Sequence, residues 1–151
     1  MLAGCGGGNT ATSPAEKNEG EQEQVAKIGY VGFLSGSGAA YGDAQKKGLE
    51  LALEELNQKN KGKLRIELLI EDSGGKKENA VNAVNKLINQ DQVVAIIGPT
   101  LSGEMFAAAP KANDAGVPIF GISTTAEGIN DIGPYVFRNS LPESVAIPAA
   151  M

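Results

Sequence analysis

Residue types that are absent or nearly absent from this sequence exclude whole classes of catalytic site. There is no His, no Trp and a single Cys, Cys5. Without imidazole the chain by itself cannot build a Ser-His-Asp triad, a Cys-His pair or a His-ligated metal centre, and one thiol cannot form a Cys-rich zinc site. Most enzyme classes that depend on imidazole are therefore excluded, and we expect no enzyme activity, no metal and no cofactor.

Strong positive charge and long apolar runs are also missing. The net charge is −5, from 13 basic and 18 acidic side chains, so the basic surface expected of a nucleic-acid-binding protein is absent. Apolar runs such as Val93–Ile97 are far shorter than the ~18 residues that a membrane-spanning helix requires. We therefore expect no nucleic-acid partner and a folded part that dissolves in water.

Glycine, in contrast, is abundant. It supplies 20 of 151 residues, about twice the average share of ~7%. Because glycine tolerates backbone conformations that other residues avoid, the excess predicts tight turns and places where the backbone comes close to a partner.

The first 24 residues have the pattern of an anchor followed by a tether. Met1–Cys5 resembles the bacterial lipobox, in which an aliphatic and two small residues precede a Cys that is diacylated. Gly6–Gln24 is polar and lacks aromatic residues, as expected of a flexible linker. We expect lipidation of Cys5 and attachment to a membrane surface; the alternative is an unpaired thiol in a disordered tail. Because the charged and most of the apolar regions of an export signal are missing, we expect the start to be truncated or misplaced.

From Val25 onward, short apolar runs alternate with segments of helical periodicity. The predicted strands are 27–34, 63–71, 92–98, 117–122 and 135–138. Helices are predicted over 43–60, around 80–88 and from 102 to about 115, and Gly116 is expected to end the last of these. Pro110 is expected to kink or shorten that helix. The S-x-x-E spacing of Ser140 and Glu143 predicts a capping box and the start of a further helix.

Strands separated by helices of this length indicate an α/β fold with a parallel, Rossmann-like sheet, in the order 2-1-3-4-5. Ligands of such sheets bind outside the carboxyl ends of the strands, where the strand order reverses. For this order the reversal lies between the first and third strands. We therefore expect the ligand at loops 35–42 and 99–103.

Two loops carry groups that suit a small charged ligand. Ser102 and Gly103 come directly before a predicted helix, whose N–H groups and partial positive charge favour an anion such as a carboxylate. Ser123–Thr125 offers hydroxyl and carbonyl oxygens that could accept an ammonium group. The alternatives are that Ser102 is an ordinary N-cap and that the three hydroxyls serve turn formation.

The segment Gly36–Gly42 nearly matches the dinucleotide fingerprint G-x-G-x-x-G. Tyr41 occupies the position of the third glycine, where a large side chain would prevent close packing of helix and strand. Glu71 or Asp72 could imitate the ribose-binding acid of such proteins. We favour a small-molecule site in which Tyr41 forms an aromatic wall, and keep nucleotide binding as the alternative.

Several segments taken together resemble the N-terminal lobe of type I periplasmic binding proteins, and in particular the branched-chain amino acid receptors of ABC transporters. The resemblance covers residues 25–144. The matching segments are 28–29, 32–36 with 41–42, 52–57, 71–72, 80–81 with 86–88, 97–99 with 102–103, 115–118 and 123–126. The lipobox agrees with it, because Gram-positive members of the family are lipoproteins.

The resemblance implies roles for individual residues. Ser102 would bind the α-carboxylate of the ligand through its hydroxyl and backbone N–H, and the Ser123 carbonyl with the Thr125 hydroxyl would hold the α-ammonium or carboxylate. Tyr41 would border the side-chain pocket. Gly103 and Ser35, in the matching loops, complete the expected ligand-binding set.

Glu104 departs from the family pattern, which has small or hydroxylated residues after the glycine. An inward-facing carboxylate would be unfavourable beside a bound carboxylate, so we expect either that Glu104 faces solvent or that the ligand is not a simple amino acid.

The resemblance also implies the wider organisation of the protein. Family members have two lobes that close on the ligand by a hinge motion. We expect residues 25–139 to form the N-terminal ligand-binding lobe, and residues 140–151 to form a hinge and the truncated start of a second lobe. The chain is then expected to be a fragment that binds its ligand weakly. The implied function is the extracytoplasmic, lipid-anchored receptor of an ABC transporter, with permease subunits as partners. The alternatives are a nucleotide- or flavin-binding enzyme domain and a ligand-sensing module of a regulator.

Overall fold

The structure, a computed structural model, describes residues 23–150. The strands are β1 (Gln24–Gly32), β2 (Leu64–Asp72), β3 (Ala95–Ile97), β4 (Ile119–Gly121) and β5 (Val136–Arg138). The helices are α1 (Ala39–Lys59), α2 (Lys77–Asn89), α3 (Ser102–Asp114) and α4 (Glu143–Ala150), and a 3₁₀ turn spans Asn130–Ile132. The proposed lipidation site Cys5 and its tether up to residue 22 lie outside the described residues.

The five strands form one sheet in the order β2-β1-β3-β4-β5, and every pairing between neighbours is parallel. Both the α/β class and the strand order agree with the prediction. β3 and β4 are shorter than predicted, at three residues each. The order reverses between β1 and β3, as expected, so the loops after these strands lie beside each other.

The core lies on the face of the sheet that α2 and α3 cover. The predicted i, i+3, i+4, i+7 stripe of α2 is buried, and α3 adds a stripe of small residues and one Met. The buried apolar side chains of α2 are Ala80, Ala83, Val84 and Leu87, and those of α3 are Met105, Ala108, Ala109 and Ala112. A Cβ built on Gly29 of β1 would lie 2.6 Å from Leu87 Cδ1, so this glycine lets α2 approach the strand closely.

α1 packs on the opposite face and is far less buried than its sequence pattern predicts. Leu49 and Leu53 of the predicted stripe are half-buried, but Ala52 and Leu56 are exposed. The helix also begins at Ala39, four residues before the predicted start, and its first turn contacts the residue that follows β1 through a glycine. A Cβ on Gly42 would lie 2.3 Å from the Phe33 carbonyl oxygen. The glycine-rich segment is therefore partly the first turn of α1.

One local prediction in the C-terminal half is wrong and another is narrowed. α3 continues through Pro110 to Asp114, so the proline does not shorten the helix, and a kink stays a prediction. The capping box at Ser140 does not form: the Ser140 hydroxyl donates to the Thr124 carbonyl at 2.8 Å, and the Glu143 N–H donates to the Thr125 carbonyl at 3.1 Å. Both groups hold α4 against the loop after β4. Gly116 ends α3 with a φ of 69°, as predicted.

Candidate functional site

The start of α3 offers backbone donors at the edge of the sheet. Leu101 is the N-cap and Ser102 is the first residue of the helix, so Ser102 is not an ordinary N-cap. Within residues 23–150, the N–H groups of Ser102 and Gly103 have no acceptor. The first-turn N–H groups of a helix remain unpaired unless a side chain, water or ligand accepts from them, and they attract an anion.

The Ser102 side chain joins this helix start to the loop after β4. Its hydroxyl oxygen accepts the N–H of Ala126 at 3.3 Å. A hydroxyl that accepts one hydrogen bond keeps its own hydrogen for donation. Ser102 and the predicted ligand loop 123–125 are therefore neighbours at the same edge of the sheet.

Glu104 lies inside the protein, which contradicts the expectation that it faces solvent. It is 1% exposed, and its Oε2 accepts the backbone N–H of Leu101 at 3.0 Å. Its Oε1 is buried with no hydrogen-bond partner among the described residues. The carboxylate thus turns back onto the start of its own helix, which excludes the first alternative and leaves the second, a ligand that is not a simple amino acid, as a prediction.

A hydrogen-bonded cluster around Gln45 connects α1 to the same edge. The Gln45 amide donates to the Ser123 hydroxyl at 3.0 Å, and its carbonyl oxygen accepts the hydroxyls of Thr100 at 2.9 Å and Tyr30 at 3.2 Å. Burial raises the pKa of Tyr30 to about 12, although the hydrogen bond with Thr100 acts in the opposite direction. Tyr30 therefore remains a protonated donor at neutral pH, and Gln45 holds the orientation of Ser123.

Gln45 is a site residue that the sequence analysis missed. It lies four residues before Leu49, on the apolar stripe of α1. A polar side chain at a position where the helical period predicts an apolar one indicates a buried hydrogen-bond partner or a functional role. A polar residue within the apolar stripe was therefore the signal in the sequence that could have identified Gln45.

Tyr41 lines a groove beside Ser123. The ring is 70% exposed, and it lies with Ala44, Gln45 and Ser123 along a groove of about 350 Å³. Its place in the first turn of α1 brings the ring to the carboxyl edge of the sheet. The structure therefore puts an aromatic wall next to the loop that was expected to contact the ligand.

The hydroxyl of Thr125 is engaged by α4. It donates to Glu143 Oε1 at 2.8 Å, which leaves the Thr125 oxygen able to accept a donor such as an ammonium group. The same loop is held by Arg138, whose guanidinium donates to the Ala126 carbonyl at 2.7 Å. Hydrogen bonds from the Ser144 side chain and N–H lower the pKa of the Glu127 carboxyl. The loop after β4 is thus fixed from β5 and α4.

Ser35 contacts a different partner from the other predicted site residues. Partial desolvation raises the pKa of Asp72, but hydrogen bonds from the Ser35 side chain and from backbone N–H groups outweigh it, so this pKa lies below its ordinary value. Two of these donors are the N–H of Gly74, at 2.8 Å, and that of Leu34, at 2.9 Å. Ser35 therefore connects the loops after β1 and β2, whereas Ser102, Ser123 and Thr125 lie around the ends of β3 and β4.

Metal clusters and membrane-spanning helices are absent from the part of the chain that the structure describes. No cluster of three or more His, Cys, Asp or Glu residues that could hold a metal ion occurs between residues 23 and 150. None of the helices in that range is long and apolar enough to span a membrane.

Known proteins share this sequence pattern and fold. A family model described as periplasmic binding protein matches residues 25–149. Leu/Ile/Val-binding protein homolog 7 of Brucella abortus (strain 2308) is 33% identical over 107 residues, which are 71% of this chain and 27% of that protein.

Two solved structures show the same similarity in three dimensions. The branched-chain amino acid transporter substrate binding protein LivJ from Streptococcus pneumoniae, in complex with isoleucine, aligns with a TM-score of 0.76 and 36% identity, over 80% of this chain and 35% of that one. A solute binding protein of an ABC transporter from Rhodopseudomonas palustris BisB5, in complex with 3,4-dihydroxy benzoic acid, aligns with a TM-score of 0.73 and 27% identity, over 80% and 33%.

These relatives are much longer than the region that they share with this chain. The chain spans 27% of the Brucella protein and 35% of LivJ. The shared region contains the sheet and the loops described above. Because the family model extends over nearly all of the described residues, the chain belongs to the periplasmic binding protein family and has the type I fold of the solved structures that it matches.

Proposed function

We propose that this chain is the N-terminal ligand-binding lobe of an extracytoplasmic ABC-transporter receptor for branched-chain amino acids or a related small polar solute. One observation carries the proposal. The start of α3, where the N–H groups of Ser102 and Gly103 have no acceptor among residues 23–150, lies beside the hydroxyl and carbonyl groups of the loop after β4. Donors for a carboxylate and acceptors for an ammonium group thus occur side by side.

Each group has a role in this proposal. The Ser102 hydroxyl and the N–H groups of Ser102 and Gly103 bind the ligand α-carboxylate, because they are donors at the positive end of a helix. The Ser123 carbonyl and Thr125 hydroxyl oxygens accept from the α-ammonium. Tyr41 contacts the ligand side chain. The site holds its ligand by hydrogen bonds and apolar contact, with no chemical step.

The wider assignment rests on the family. Residues 1–24 are the lipid anchor on Cys5 and its tether, residues 25–139 are the lobe, and residues 140–151 lead through a hinge toward a second lobe. The receptor delivers its ligand to permease subunits at the outer face of the membrane. Support comes from the relatives, of which the shared region makes up only 27% in the Brucella protein and 35% in LivJ.

Aromatic carboxylates are a second ligand class for the same site. The Rhodopseudomonas palustris protein binds 3,4-dihydroxy benzoic acid, and the exposed Tyr41 ring could stack on such a ligand. This class also presents a carboxylate to α3, but it has no ammonium group for Ser123 and Thr125.

Amide chemical shifts of the 151-residue chain, titrated with isoleucine, leucine, valine and 3,4-dihydroxybenzoate, test the proposal. We expect millimolar binding, because one lobe supplies only part of the contacts, with the largest shifts at Ser102, Gly103 and residues 123–125. Ser102→Ala should weaken binding about tenfold or more, since it removes a hydrogen bond to a charged group. Asn89→Ala, a change to alanine at an exposed polar residue that ends α2, is the control.

Two results would contradict this proposal. If none of the ligands changes the amide chemical shifts at the start of α3, the proposed function is wrong. Micromolar or tighter binding by the 151-residue chain would show that the lobe binds its ligand without a partner lobe. It would overturn the description of the chain as one lobe of a two-lobed receptor.

A further inference from the structure

We propose that Glu104 sets the charge selectivity of the site: it favours a ligand that carries an ammonium group beside its carboxylate over a monoanion of the same shape. The inference rests on the proposed function, because it requires a ligand carboxylate at the start of α3. It adds a residue that does not itself contact the ligand but determines which charge pattern is accepted.

The position of the Glu104 carboxylate is fixed by burial and by one hydrogen bond. The residue is 1% exposed, and Oε2 accepts the N–H of Leu101 at 3.0 Å. Leu101 is the N-cap, so the carboxylate lies at the same helix start that presents the N–H groups of Ser102 and Gly103. Oε1 is buried and has no hydrogen-bond partner among the described residues, so no hydrogen bond at this oxygen would disperse the charge of an ionised Glu104.

A buried negative charge acts on a nearby ligand with little screening. Charges in the protein interior interact more strongly than charges in water, and salt reduces the effect of a buried charge much less than that of an exposed one. Glu104 therefore repels any carboxylate bound at Ser102 and Gly103. It also attracts a positive group held by the adjoining loop, residues 123–125.

These two effects give different results for different ligands. A zwitterionic amino acid experiences both the repulsion and the attraction, which largely offset each other. A monoanion that lacks the ammonium group experiences only the repulsion. A buried Glu104 is therefore compatible with an amino acid ligand, and it weakens the binding of carboxylates that lack an amine.

Lys77 is a second charged residue near this helix start. Its Cε lies 3.2 Å from the position that a Cβ on Gly103 would occupy, so the end of this side chain lies next to Gly103. It acts on a carboxylate that both kinds of ligand possess. The effect of Lys77 is therefore common to both ligands and cancels in the ratio of their dissociation constants. A change in that ratio measures the effect of Glu104.

The test compares isoleucine with 3-methylpentanoate, which has the same carbon skeleton and carboxylate but no amine. Dissociation constants are measured from amide shifts in the wild type and in Glu104→Gln, whose amide oxygen can still accept the Leu101 N–H. We expect the preference for isoleucine to fall about tenfold in the variant, mainly because 3-methylpentanoate binds more tightly.

Asp114→Asn is the matched control. Asp114 is exposed at the far end of the same helix, about 15 Å from Glu104 at a rise of ~1.5 Å per residue. This variant loses the same charge and should keep the wild-type ratio, whereas a change as large as that of Glu104→Gln would show that overall charge sets the ratio.

The outcomes separate this inference from the proposed function. If the wild type binds isoleucine but folded Glu104→Gln keeps the same ratio, or strengthens both ligands equally, Glu104 has no role in selectivity. If Glu104→Gln does not fold, Glu104→Met provides the same comparison, because it also lacks the charge; failure of both to fold would assign Glu104 to folding alone. If the wild type binds neither ligand at α3, the proposed function fails and this inference fails with it.

Discussion

The two faces of the sheet differ sharply in burial, even between adjacent residues of one strand. Ile119 of β4 is fully buried beneath α3, whereas Phe120, the next residue, is 42% exposed. In β5, Val136 is buried and Phe137 is 41% exposed. Successive side chains of a strand point to opposite faces. One face therefore carries a close-packed core, and the other is apolar but only partly covered.

The difference arises from where the helices lie. α2 and α3 cover one face, while α1 contacts β1 and β2 on the other. Beyond α1 an apolar groove of about 440 Å³ remains, lined by residues such as Leu49, Ile97 and Phe120. Phe120 and Phe137 stack on each other there, with ring centroids 5.0 Å apart. A parallel sheet is normally covered on both faces. Here the apolar side chains beyond α1 still contact water, so we expect them to stabilise the fold less than those beneath α2 and α3.

The largest effect is expected from Leu87→Ala on the covered face. Leu87 is fully buried and packs against Gly29 of β1, so removing its branched end leaves a cavity. We expect the free energy of unfolding to fall by roughly 2–5 kcal/mol, measured by urea denaturation. Leu51→Ala, the same change at an exposed position of α1, should cost less than ~0.5 kcal/mol. Equal losses in the two variants would show that burial does not distinguish them.

A smaller effect is expected from Phe120→Ala on the partly covered face. Because the ring already contacts water, its removal should cost about 1–2 kcal/mol, less than the ~3–5 kcal/mol typical of a buried Phe. Binding of a hydrophobic dye should fall in the same variant, since the stacked aromatic pair is lost. A loss above ~3 kcal/mol that depends on protein concentration would contradict the comparison, because it would mean that self-association covers this face in solution.

The smallest effect is expected at the edge of the sheet, from Asp72. Its pKa is lowered in the folded state, so its contribution to stability is present above the unfolded-state value of ~3.9 and is lost as the pH falls through the folded-state pKa. The side chain is largely exposed, so solvent screening limits the contribution to less than ~0.5 kcal/mol. In Asp72→Asn the free energy of unfolding should depend less on pH below about pH 4, and it should change little at pH 7. A pH dependence equal to that of the wild type would contradict this assignment.

The positions of the strands and helices could largely be predicted from local sequence. The stripe of Ala80, Ala83, Val84 and Leu87 is periodic, and alternation of such helices with short apolar runs is sufficient to indicate a parallel sheet. The loops at the reversal of strand order followed from the topology. Both inferences depend only on the spacing of residues along the chain.

The site could be predicted in part. Ser102, Ser123 and Tyr41 could be proposed because they follow strands, in segments that the topology brings to one edge of the sheet. The burial of Glu104 could not be predicted, because it depends on how α3 packs. Gln45 was overlooked because its three partners, Tyr30, Thr100 and Ser123, are distant in sequence. Contacts of this kind are formed only after the strands and helices have packed.

Sequence by itself determined the class of fold, the strand order, the exclusion of imidazole chemistry and the loops that could hold a ligand, because each depends on composition or on regular spacing. Only the tertiary structure decided which face of the sheet is covered, that Glu104 is buried and that Gln45 orients Ser123. The pattern of apolar and polar residues specifies which side chains favour burial. Which of them become buried, and beside which charge, depends on how the helices pack against the sheet.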